Sequence, residues 1–148
     1  MLGKIRIKLE IDTNPPSGGQ NEIKYVDFPF LSPITVKNPA TLFAGKIHAL
    51  LSRSYVKGRD WYDFIWYTAR KTPINYHYLE EAVNQSGLYK NEKVHVDRTW
   101  LYDTLYQKIN SIDWIEARND VRRFIPVAEQ PSIHLWNAEV FLQQLNKL

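Results

Sequence analysis

The chain has 148 residues and a mass of 17.5 kDa, the size of one domain, and a single domain over residues 1–148 is expected. Apolar residues at 44% and charged residues at 24% exclude a disordered chain, and the lack of cysteine excludes disulfides, thiolate zinc sites and a Cys nucleophile. No apolar run reaches the ~18 residues of a membrane helix, the first six residues carry no signal peptide, and the mean hydropathy of −0.43 fits a soluble cytoplasmic protein.

Residues 4–12 alternate strictly, with Ile5, Ile7, Leu9 and Ile11 on one face and Lys4, Arg6, Lys8, Glu10 and Asp12 on the other. Period-two alternation with β-branched residues predicts a strand with one buried face. A Pro- and Gly-rich loop follows at 13–19. A second strand is expected near Lys24–Pro29, antiparallel to the first, and residues 34–37 could add a third extended piece.

From Asn38 the chain reads as helical. Asn38-Pro39 is a cap followed by Pro at the first helical position, and the helix it opens should run to Arg53. Further helices are expected over Arg59–Lys71, Asn75–Ser86 (closed by Gly87), Asp97–Ser111, Asp113–Phe124 and Asn137–Asn146, with Pro126 and Pro131 as breaks. The predicted class is α+β: a short antiparallel strand pair within residues 1–37, then about six helices over 38–148. So small a sheet is marginal for so many helices. Its open edge invites a second copy, and a homodimer through that edge is one expectation.

Charge is unevenly distributed. The formal net charge is +3 and the pI about 9.0. Between Asp27 and Asp60 there is no acidic residue, while Lys37, Lys46, Arg53, Lys57 and Arg59 all fall in that gap. The stretch is either a solvated basic face or an anion site.

In the first helix, Leu42, Phe43, Ile47, Leu50 and Leu51 define the apolar arc. Lys46 and Arg53, seven residues apart, nearly superimpose within it. They must snorkel, pair, or line a polar pocket that accepts an anion. The next helix places Asp60 and Asp63 on one face with Tyr67 above them, within reach of Lys46 or Arg53 across the short Lys57-Gly58 link. On the first strand, Glu10 and Asp12 would point the same way. That pattern is either plain polar alternation or half of a Mg²⁺ site.

Three segments carry a resemblance. Ile7-Lys8-Leu9-Glu10-Ile11-Asp12, then Gly45-Lys46-x-x-Ala49-Leu50-x-x-Arg53, then Lys57-Gly58-Arg59-Asp60-Trp61-Tyr62-Asp63, in this order, resemble the AbiEii/AbiGii family over residues 4–70. These are nucleotidyltransferase-like toxins of bacterial abortive-infection and toxin–antitoxin systems. The resemblance implies a nucleotidyltransferase fold that binds a nucleoside triphosphate with Mg²⁺ and transfers a nucleotide to an RNA acceptor such as tRNA, with a cognate antitoxin as partner and no membrane. It implies Glu10, Asp60 and Asp63 as catalytic carboxylates, Glu10 with Asp12 as metal ligands, and Lys46, Arg53, Lys8 and Arg59 as nucleotide-binding cations.

The family's first motif, a Gly-Ser turn followed by Asp-x-Asp, has no match here. Ser17-Gly18-Gly19 lies in a Pro-rich loop without an Asp-x-Asp after it, and Asp97 and Asp103 belong to predicted helices. The expectation is therefore a partial nucleotidyltransferase, the C-terminal part of a longer or split protein. As this chain alone it is predicted to be inactive. The alternative is a catalytically inactive RNA- or protein-binding module derived from that fold.

Overall fold

The computed structural model describes residues 6–148. Strand β1 (Asn21–Val26) pairs antiparallel with β2 (Ser32–Lys37), in the register Ile23 opposite Thr35 and Tyr25 opposite Pro33. Seven helices follow: α1 (Pro39–Ser52), α2 (Gly58–Ala69), α3 (Tyr76–Gln85), α4 (Arg98–Ser111), α5 (Trp114–Arg122), α6 (Gln130–Ile133) and α7 (Ala138–Leu145). The class is α+β. No helix among the described residues is long and apolar enough to cross a membrane.

The strand expected over residues 4–12 does not form where it is described. Residues 6–12 lie outside any strand, and Ile7, Leu9 and Ile11 are 87%, 83% and 78% exposed; Lys4 and Ile5 lie outside the described residues. Alternation supplies an apolar face, but a strand needs a ladder partner and a cover for that face. Here the antiparallel pair forms between 21–26 and 32–37 instead, and residues 6–12 have neither.

Five of the helices open on side-chain caps. Asn38, Asn75, Asp97 and Asn137 each accept from the backbone N–H three residues on, which satisfies an otherwise orphaned donor. Asp113 caps α5 in the same way. The unexpected element is α6, which contains Pro131, a residue expected to break the chain. It sits in the first turn, where its missing N–H has no helical partner to lose.

A node of polar contacts sets the start of α1. Thr41 is buried, and its hydroxyl accepts from Gln20 N–H (3.1 Å) and from the Asn75 amide (3.1 Å). Asn75 also donates to the Gly18 carbonyl at 2.9 Å. The loop before β1, the start of α1 and the start of α3 are thus tied at one point. Phe43, Ala44, Ile47, Leu50 and Leu51 of α1 enter the core. Leu42 does not: it is 45% exposed and lines a surface groove.

Helix α2 packs between α1 and α5, with Trp61 and Phe64 buried in an aromatic cluster. The Trp61 and Phe141 rings meet edge-on at 5.3 Å, and Trp114 stacks on Phe141 at 4.2 Å. Tyr106, by contrast, is 46% exposed and stacks on Tyr102. At Gly58 the start of α2 lies directly against α5. The Gly58 N–H donates to Asp120 at 2.8 Å, and a Cβ there would stand 2.1 Å from the Ala117 carbonyl oxygen.

Candidate functional site: a cation-lined groove on helix α1

Two turns of α1 lie between Lys46 and Arg53, so both face α2. The Lys46 ammonium meets the Asp63 carboxylate at 2.7 Å, and Arg53 Nε meets Asp60 Oδ2 at 2.9 Å. The two pairs differ in surroundings. Lys46 and Asp63 are open to solvent (44% and 33% exposed side chains), whereas Asp60 is 4% exposed. Neither Arg53 Nε nor Asp60 Oδ2 makes a directed hydrogen bond, so this inner pair is held by charge alone. Arg53 spends a further N–H on the Tyr55 hydroxyl at 2.6 Å, and its carbonyl accepts from Lys108 at 2.9 Å. Burial lowers the pKa of that lysine. Asp60 stands in the first turn of α2, where the helix dipole favours an anion.

These pairs border a cavity of about 320 Å³ whose walls include Lys37, Lys46, Arg53, Lys57, Asp60 and Tyr78. Four cations face one carboxylate. The Lys37 ammonium stands over the Tyr78 ring, 5.1 Å from its centre. Burial, and then the charge of Asp12, raise the pKa of the Tyr78 hydroxyl. Lys37 comes from the end of β2 and Lys57 from the residue before α2. Helical periodicity could not place either one. The acid-free stretch from 28 to 59 was the signal that contained both.

A second cavity, of about 300 Å³, shares Lys46, Lys57 and Asp60 with the first and adds Arg59, Tyr62 and Phe124. Tyr67 stacks on Phe43 at 4.7 Å, and its hydroxyl pKa is raised by burial and then by Asp63.

The structure does not bring the remaining candidates to this groove. Glu10 pairs with Lys8 on the exposed extended segment, and neither borders either cavity. Asp12 lines neither cavity: it accepts from Asn14 N–H at 3.0 Å, a local turn contact, and reaches the groove only through its charge on Tyr78.

A family model described as "Nucleotidyl transferase AbiEii toxin, Type IV TA system" matches residues 2–143. The chain belongs to this family. No curated protein and no solved structure matches it. The AbiEii match runs well past residue 70 and takes in the helices from α3 into α7.

Mg²⁺, which membership in a nucleotidyltransferase family implies, does not fit the residues present. Among the described residues, no three His, Cys, Asp or Glu side chains come together in a group that could hold a metal ion. Asp60 and Asp63 each face a cation, and Glu10 faces Lys8. A divalent ion needs several oxygen ligands free of competing cations. What the groove offers instead is donors for an anion.

Proposed function

We propose that the chain supplies the phosphate-binding wall of an AbiEii-type nucleotidyltransferase. In this reading Lys46 takes the triphosphate of a nucleoside triphosphate, with Lys37, Arg53 and Lys57 around it and Arg59 at the adjoining cavity. Asp63 and Asp60 act as positioning residues that hold Lys46 and Arg53 in place. The observation that carries the reading is the meeting of α1 and α2 cation by carboxylate, beside a cavity with four cations in its walls. Phosphate oxygens accept from ammonium and guanidinium groups through charge-assisted bonds, which are stronger than neutral ones.

Transfer to an RNA acceptor is proposed to require the Gly-Ser…Asp-x-Asp motif, supplied by a segment placed before Lys4. The test is transfer of a labelled nucleotide to tRNA by this chain alone and by the chain joined to such a segment. Transfer is expected only from the joined protein. Robust transfer by the chain alone would refute the incomplete-site reading. Salt-sensitive RNA binding with no transfer from either protein would favour the inactive binding module instead.

A further inference from the structure

The second cavity contains a feature that triphosphate binding does not use. Phe124, just past the end of α5, is 46% exposed, yet two guanidinium groups lie over its ring: Arg59 at 4.1 Å and Arg123 at 4.7 Å. Arg59 comes from the first turn of α2 and Arg123 from the end of α5. Their convergence depends on the close approach at Gly58, which leaves no room for a side chain between the two helices. Phe124 adds little to the core, since the buried residues beside it are Val121 and Ile125. It lines the same cavity as Lys46 and Lys57, together with the carboxylates Asp60 and Asp63 that pair with Arg53 and Lys46.

The cavity therefore sets an aromatic ring with cations over it beside Lys57 and the paired Lys46 and Asp63. That combination suits a unit with a planar π-face and a phosphate attached. Unpaired bases stack on aromatic rings and on guanidinium planes, and a duplex keeps those faces covered. We propose that the Arg59–Phe124–Arg123 assembly is a stacking platform for one unpaired nucleobase of a single-stranded RNA, whose phosphate lies against Lys57. This rests on the phosphate-groove reading above and places the acceptor strand beside the triphosphate wall.

The test is fluorescence anisotropy with a labelled single-stranded RNA pentamer, the same backbone without bases, and the corresponding duplex. Inorganic triphosphate, followed by calorimetry, is the fourth probe. Stacking is worth ~1–3 kcal/mol per base, so Phe124→Ala should weaken the pentamer by about 5- to 150-fold. It should leave the abasic strand, the duplex and triphosphate unchanged, and Phe124→Trp should retain pentamer binding. Equal pentamer affinity in wild type and Phe124→Ala would overturn the platform, as would an equal loss for the abasic strand or no binding of the pentamer to wild type. Lys46→Ala reports separately. If it leaves triphosphate binding intact, the groove reading fails, while the Phe124 comparison still decides the platform.

Discussion

Gly58→Ala should destabilise the protein by about 3 kcal/mol or more, at the upper end of overpacking costs because the obstacle is backbone. The added Cβ would meet the Ala117 carbonyl oxygen at 2.1 Å and Val121 Cβ at 2.9 Å. A side chain can rotate away from such a clash, but a carbonyl in the middle of α5 cannot. Helix α2 must therefore back off, and the Gly58 N–H loses Asp120 as it does so. The backbone at Gly58 is not in the left-handed region, so the demand is for space and not for conformation. Urea unfolding measures the effect as a lower midpoint at unchanged slope. A loss below ~0.5 kcal/mol, the range of ordinary surface changes, would mean that α2 and α5 are not held at this distance.

Asp60→Ala should cost about 2–3 kcal/mol. Breaking a fully buried pair costs ~3–5 kcal/mol. The expectation here is lower because the Arg53 side chain is 28% exposed and keeps Tyr55 as a partner. Arg53→Ala should cost more than Asp60→Ala, since it leaves a carboxylate in a site only 4% exposed. The double variant should be milder than the sum of the two. Asp63→Ala is the internal control. Its pair with Lys46 is open to water, and such pairs are worth ~0.2–1 kcal/mol. Equal losses for Asp60→Ala and Asp63→Ala would contradict the assignment of Asp60 to an inner, charge-held pair.

The helical half of the molecule was legible because its signals are local. Asn38-Pro39, Asn75, Asp97, Asp113 and Asn137 start their helices through side-chain bonds spanning two or three residues. The juxtaposition of Lys46 and Arg53 with Asp63 and Asp60 was also legible, since seven residues is two helical turns and the link to α2 is short. What depends on partners far along the chain was not. Residues 6–12 have the pattern of a strand, but pattern alone cannot supply the neighbour, and the ladder went to 21–26 with 32–37. Leu42 fits the apolar arc by angle and yet faces the groove, because the arc was wider than the surface α2 and α3 cover. Lys37, Lys57 and the paired guanidiniums over Phe124 come from element ends, where no period applies.

The claim that the α1 groove is built for phosphates is tested most directly by titrating inorganic triphosphate into the wild type and Lys46→Ala at two salt concentrations. Lys46 is the right position because its solvent-open pair contributes little to folding. Hydrogen bonds to charged groups are worth ~1.5–3 kcal/mol, so the substitution should weaken binding by about 10- to 150-fold. Wild-type affinity should fall as salt rises, and more steeply than that of the variant. Equal affinities for the two proteins, or a wild type that does not bind triphosphate, would contradict it.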